Sequence, residues 1–212
     1  MYNVIVLDTE TTNDIESPLM YDLGFSVVDI ESGEVLDSVS LVIAEVFLNK
    51  ELMSSAFFAE KIPMYWVDIK SGKRQLTSYF TAKKALAEIC DLYNVKAIVA
   101  HNARFDYKSC SCTIRYLTKS KYRYFLPYGI EIWDSLKMSR EVFKTEEYKT
   151  FCVDNGFVTK RNQPKYTAEV IYRYLTKDIN FIESHTALED VNIETLILLE
   201  CIKQGCVNRK LW

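Results

Sequence analysis

Asp8-Thr9-Glu10 follows the short β-branched run Asn3–Leu7, and in an extended chain residues two apart face the same side, about 6.6 Å apart along the strand. Both carboxylates can therefore serve one cation or one reacting group. Taken alone, an acidic pair at a strand end is as readily a solvated rim. Asp106 falls in the first turn of a helix introduced by His101-Asn102, directly after the apolar run Val95–Ala100. There a carboxylate commonly does no more than complement the helix dipole, but ligands of open α/β sheets gather at the carboxyl ends of strands. Asp190 opens the last long apolar helix, five residues after His185. Five helical residues rotate a side chain by about 140°, so His185 meets Asp190 only if it stands on the loop before the helix. A loop histidine beside carboxylates is suited to act as a general base.

The elements that must carry these residues are legible as periodicities. Asn3–Leu7 reads as a buried strand. Tyr21–Ile30 and Glu34–Ile43 read as two more, joined across Ser32-Gly33 as a hairpin. Apolar residues at three- and four-residue spacing from Thr81 to Tyr93 mark an amphipathic helix that leads into the strand Val95–Ala100. Asn102 stands as the expected N-cap of a helix running from Ala103 toward Leu117. Gly129–Trp133 reads as a fifth strand, with helices following over about Asp134–Phe143, Thr167–Lys177 and Ala187–Lys203. Three strands with hairpin links, then alternating helices and strands, predict an α/β fold with a mixed five-stranded sheet flanked by helices. Residues 44–75 resist assignment, with Lys70-Ser71-Gly72-Lys73-Arg74 as an exposed turn.

Composition bounds the classes. A chain of 212 residues, 49% hydrophobic, is expected to form a single domain over 1–212, with 44–75 as a family-specific insertion. No apolar stretch approaches a membrane span and no basic n-region precedes one, so a soluble, cytoplasmic protein is expected. Cys110 and Cys112 form a C-x-C pair without a second Cys/His pair at zinc-site spacing, and the six cysteines are read as reduced thiols. The net charge of −3 lacks the basic footprint of a nucleic-acid binder. Acids that hold cations would reverse that charge locally.

Four elements in one order carry a resemblance: Leu7-Asp-Thr-Glu-Thr-Thr12, His101-Asn-Ala-Arg-Phe-Asp106, Asp134-Ser-Leu-Lys-Met-Ser-Arg140 and His185-Thr-Ala-Leu-Glu-Asp190. Together they resemble the DEDDh branch of the DnaQ-like 3′-5′ exonuclease superfamily, whose domain is ribonuclease H-like. The resemblance implies Asp8, Glu10, Asp106 and Asp190 as ligands of two divalent cations, Mg²⁺ or Mn²⁺, with His185 as general base. It further implies Thr11, Asn102 and Phe105 as substrate-binding residues and a nucleoside 5′-monophosphate product. Asp134 either supports the site from behind or caps the helix after it. Asn13 stands where many relatives have glycine, and asparagine tolerates positive φ better than most residues.

A competing third motif exists in Tyr174-Leu-Thr-Lys-Asp178, which has the Y-x-x-x-D spacing of the DEDDy branch. The context around Ala187-Leu188 favours His185 and Asp190, leaving Tyr174 as a core residue of its helix. Lys119–Phe125 and Lys160–Tyr166 interleave basic and aromatic residues, which suits single-strand binding or simply a solvated basic loop. The expected partner is a nucleic-acid 3′ end, DNA in preference to RNA, with a polymerase or replication protein acting in trans as a further partner. An RNA-trimming enzyme and a non-catalytic nucleic-acid- or polymerase-binding module remain the alternatives.

Overall fold

A computed structural model describes residues 2–119, 121, 124–207 and 209–211. Six strands form one mixed sheet: β1 (Asn3–Thr12), β2 (Leu19–Asp29), β3 (Val35–Ile43), β4 (Gln75–Thr77), β5 (Val95–Ala100) and β6 (Glu131–Asp134), in the order β4-β3-β2-β1-β5-β6. β1, β2 and β3 pair antiparallel, while β5 lies parallel to β1, β6 to β5 and β4 to β3. This is the expected α/β architecture with one strand more. β4 has three residues and a single apolar centre, too little alternation to register as a strand in sequence. β6 starts at Glu131 instead of Gly129, because Gly129 takes a φ of 84° in the preceding turn.

Nine α-helices cover the two faces: α1 (Ala44–Phe47), α2 (Lys50–Ser54), α3 (Ile62–Ser71), α4 (Tyr79–Leu92), α5 (Ala103–Leu117), α6 (Ser135–Val142), α7 (Glu146–Asp154), α8 (Ala168–Thr176) and α9 (Ala187–Lys203), counted among the described residues. A 3₁₀ turn at Ala59–Lys61 precedes α3. α7 has no counterpart in the sequence reading; Thr145 caps it by accepting from the Tyr148 N–H. Alternation along β1 divides the core. Ile5 and Leu7 pack with α4, α5 and the 44–71 helices, whereas Val4 and Val6 pack with α6 to α9.

Residues 44–71 are therefore largely helical and contribute Val46, Phe47, Met53 and Tyr65 to the first core, and Gln75 opens β4. The turn after α3 needs one correction. Lys73 is exposed as expected, but Arg74 is 2% exposed, its guanidinium bonded to Asp22, Asp68 and Glu189. All six cysteines are free thiols. Among the described residues no helix is long and apolar enough to cross a membrane.

Candidate active site

The pleat that turns Val4 and Val6 toward α9 continues to Asp8 and Glu10, and the register shifts only after Glu10. Both carboxylates consequently meet the start of α9. Gly24, which pairs with Asp8 on the neighbouring strand, makes this approach possible: a Cβ there would collide with the backbone of Ala187 and Leu188. The first turn of α9 is pinned by Asp22 on β2, whose Oδ2 accepts from the Ala187 N–H at 3.1 Å. Asp190 is thus lowered onto the strand pair. Carboxylate oxygens of Asp8, Glu10 and Asp190 lie within 4.8 Å of one another.

Asp106 stands outside that triplet but lines the same cleft. It is buried, and its Oδ1 accepts from the Thr9 backbone N–H at 3.1 Å and from the Thr9 hydroxyl at 2.9 Å. The turn before α5 is tied from behind. Asp134 caps α6 by accepting from the Leu136 N–H at 3.0 Å, and the same oxygen accepts from the Asn102 N–H at 3.2 Å. The cap anticipated for Asp134 is thus formed, and its second bond ties the Asn102 turn to the start of α6. Asn102 does not cap α5 with its side chain; it occupies the left-handed region at φ 73° so that the chain can turn from β5 into the helix. His101 is half-buried, its Nε2–H donating to the Tyr166 carbonyl at 2.7 Å while Nδ1 accepts from the Ser135 hydroxyl at 3.1 Å, and desolvation of the ring pushes its pKa down.

The cleft has a volume of about 500 Å³, and Asn102, Phe105 and His185 share its lining with the four acids. Thr11 lies just past the β1 bulge, half-buried, and does not line it. Asn13 follows at φ 71° with its side-chain amide donating to the Ser17 carbonyl, so the turn is held without glycine.

His185 stands on the loop before α9, as its spacing from Asp190 requires. Its φ of 49° is uncommon for a non-glycine residue. The segment 44–75 holds it there. The imidazole stacks on Phe58 with ring centroids 4.4 Å apart and planes 13° apart. Lys61 sits 4.1 Å over the same phenyl ring and donates to the carbonyls of Ser184 and His185. His185 Nδ1 lies 3.7 Å from the Glu183 carboxylate.

Burial and mutual repulsion raise every carboxylate in the cleft. Glu10 is pushed up to about 8 by burial and by Asp22, against the pull of Lys61. Asp190 rises to about 9 through burial, Glu183 and Glu10. Asp106 reaches about 7 because burial outweighs the hydrogen bonds from Thr9. Asp8 is raised by burial first and Glu194 second. An all-oxygen set of crowded acids fits hard divalent cations such as Mg²⁺ or Mn²⁺, whose charge would take the place of those protons.

Two acids in the cleft escaped the sequence reading. Glu194 is 4% exposed, accepts from the His101 N–H at 3.2 Å, and is raised by burial and by Asp106. Glu183 is pushed up to about 7 by burial and Glu169. The signal for Glu194 is its place one helical turn after Asp190 on the same face, set among the apolar positions of α9. Glu183 sits two residues before His185 without any periodic context.

The alternative tyrosine motif is placed elsewhere. Tyr174 packs its ring against Tyr148 at 5.0 Å and Phe151 at 5.3 Å, Asp178 is exposed, and neither lines the cleft. Of the basic-aromatic segments, Lys165 and Tyr166 line the cleft. In Lys119–Phe125, Ser120, Tyr122 and Arg123 lie outside the described residues. Phe125 is a core residue packed on Tyr79, while Lys121 and Tyr124 border a second, larger groove.

A six-stranded mixed sheet in this order, with helices on both faces, is a ribonuclease H-like fold. Solved structures agree. The chain superposes on a full-length 3′-exonuclease with a TM-score of 0.66 at 12% identity, covering 99% of this chain and 86% of that one. It matches the nuclease domain of 3′hExo, a DEDDh family member bound to rAMP, with a TM-score of 0.64 at 10% identity over 99% of this chain and 96% of that chain. A complex of E. coli ExoI with ssDNA gives a TM-score of 0.55 at 16% identity, covering 97% of this chain and 41% of that one. No family model and no curated protein sequence matches the chain.

Proposed function

We propose that this chain is a divalent-cation-dependent 3′-to-5′ exonuclease acting on single-stranded nucleic acid, with DNA as the first reading of its substrate. The observation that carries the reading is the convergence of Asp8, Glu10 and Asp190 within 4.8 Å in one cleft that also holds Asp106 and His185. Such dispersed acids repel one another when buried, and a bound cation would offset that repulsion. The residues that would hold it are Asp8, Glu10, Asp190 and Asp106, with Mg²⁺ or Mn²⁺ as the ion. When bound, a pair of such cations supplies charge neutralisation at the phosphate and activates water.

The chain's own residues do the remaining work. His185, its imidazole held in place by Phe58, accepts the proton given up by the attacking water. Thr9 keeps Asp106 turned into the cleft, and Asp134 keeps the Asn102 turn in register so that Phe105 faces the terminal nucleotide. Thr11 would meet that nucleotide from β1. The product is a nucleoside 5′-monophosphate.

RNA is the second reading, favoured by two neighbours of the same fold: a 3′-exonuclease described as recognising the 3′ end of a histone mRNA stem-loop, and the 3′hExo domain bound to rAMP. We also read the chain as one exonuclease domain over residues 1–212, with 44–75 as a family-specific insertion. A cytoplasmic place of action suits the six free thiols, and a polymerase or replication partner in trans belongs to the DNA reading. Product analysis on 5′-labelled single- and double-stranded DNA and RNA, with Mg²⁺ or Mn²⁺, is expected to give a ladder shortening from the 3′ end. Binding of either strand without any cation-dependent shortening would replace the enzyme by a non-catalytic module.

A further inference from the structure

The outer face of α5 is a stripe of cations. Arg104, Lys108 and Arg115 stand at i, i+4 and i+11, within about 40° of one another around the helix, with Ser111 between them. The opposite face, with Ala103, Asp106, Cys110 and Ile114, is buried. A basic stripe on an amphipathic helix is ordinarily a solvated surface. Here it forms one wall of a concave groove of about 1070 Å³, larger than the acidic cleft, and the groove also takes in Lys121, Tyr116 and Tyr124. The two tyrosines are 52% and 66% exposed, so their ring faces are open to a stacking partner.

Among the described residues of the groove four cations meet a single acid, Glu16, which pairs with Lys108 at 3.5 Å, in a chain whose net charge is −3. Lys108 also donates to the Ile15 carbonyl at 3.0 Å. The positive charge is concentrated where the molecule as a whole is acidic. The groove also adjoins the cleft: it begins at Asn13, just beyond Glu10 on β1, and at Arg104, the residue before Phe105. From Arg104 to Arg115 the helix runs about 16 Å, the length of roughly five stacked nucleotides.

We propose that this groove binds the single strand upstream of the 3′ end that occupies the acidic cleft, its phosphates along Arg104, Lys108 and Arg115 and its bases against Tyr116 and Tyr124. The proposal rests on the exonuclease reading for its polarity. Its chemistry is that of a polyanion with exposed bases, shared by single-stranded DNA and RNA.

The test compares the wild type with Arg104→Ala/Arg115→Ala and with Arg115→Ala alone. Binding of 5′-fluorescent (dT)20, r(U)20 and (dT)3 is measured across a salt series with Ca²⁺ present, and hydrolysis of the p-nitrophenyl ester of thymidine 5′-monophosphate is measured with Mn²⁺. In the double variant the 20-mers are expected to bind about tenfold more weakly, with the salt slope reduced by roughly 1.4, the value for two lost phosphate contacts on a single strand. Trimer binding and ester hydrolysis should change less than twofold, and Arg115→Ala alone should give about half the change in slope. Equal losses for trimer and 20-mer, or 20-mer binding that ignores both substitutions, overturn the groove. A wild type that hydrolyses the ester but binds 20-mer and trimer alike overturns the groove and leaves the exonuclease reading standing. One that binds 20-mers through the groove yet hydrolyses nothing overturns the exonuclease reading and supports the groove. The (dT)20 and r(U)20 arms decide which strand it prefers.

Discussion

At the scale of single residues, the cleft is an arrangement of acids under strain. Glu10 and Asp190, raised to about 8 and about 9, bind protons in the folded chain that the unfolded chain has released by neutral pH. Folding without cations therefore takes up protons, and stability falls as pH rises from the ordinary values of 3.8 for Asp190 and 4.5 for Glu10 through about 8 and about 9. Thermal melts in EDTA should show a Tm that drops across this window, and Mg²⁺ or Mn²⁺ should restore it. Glu10→Gln should flatten the dependence and stabilise the cation-free protein by on the order of 1 kcal/mol, roughly 2–4 °C for a chain of this size. A Tm indifferent to both pH and EDTA would defeat the cation-site reading. His185 has the opposite sign: burial and then Lys61 lower its pKa from the usual 6.5, so the neutral, proton-accepting form persists into more acid solution. Single-turnover rates should rise with pH through a limb below 6.5. His185→Ala should remove that limb and cut the rate by roughly a hundredfold. Tyr174→Phe, in the aromatic core, should leave it unchanged.

At the scale of elements, the loop before α9 is positioned by a segment far from it in sequence. Phe58 stacks on His185 and Lys61 bonds the loop carbonyls, so the 3₁₀ turn at Ala59–Lys61 acts as a backstop for the base. Phe58→Leu removes the flat surface while keeping an apolar side chain. It should lower the single-turnover rate by roughly tenfold through misplacement of the imidazole, with cation-induced stabilisation preserved. Phe58→Tyr, which retains the ring, should restore most of the rate. Equal losses in the two variants would mean that the ring does not position the base.

At the scale of the whole molecule, one buried charge network joins the strand β2, the end of α3 and the start of α9. Arg74 Nη1 lies 3.2 Å from Asp22, its Nε 3.0 Å from Asp68 and its Nη2 2.7 Å from Glu189, while the Tyr65 hydroxyl donates to Asp22 at 2.6 Å. Asp22 in turn caps α9 and so sets where Asp190 stands. Arg74→Met would leave the Asp22 carboxylate fully buried without its cation, at a cost of about 3–5 kcal/mol. Urea unfolding should show that loss, and Asp22→Asn in the same chain should recover part of it, because the uncompensated charge is gone. Additive losses in the double variant would show that the two residues stabilise the fold separately.

What sequence by itself determined here was local: short apolar and β-branched runs located the five longer strands, helical spacing located α4 and α9, an N-cap candidate marked α5, and the order of the acidic motifs carries the resemblance that implies Asp8, Glu10, Asp106, Asp190 and His185. Period-two and period-3.6 patterns are properties of adjacent residues, so they survive in one dimension. Other features depended on contacts between distant residues, and only the tertiary structure decided them. β4 exists because β3 offers an edge to pair with, and residues 44–71 are largely helical because they cover the first core. Arg74 reads as a turn residue until Asp22, Asp68 and Glu189 surround it. Glu194 reads as one more helix-surface acid until the Gly24 contact presses α9 onto the sheet and buries it among Asp8, Asp106 and Asp190. Burial and charge pairing are set by what packs from elsewhere in the chain, which no local pattern encodes.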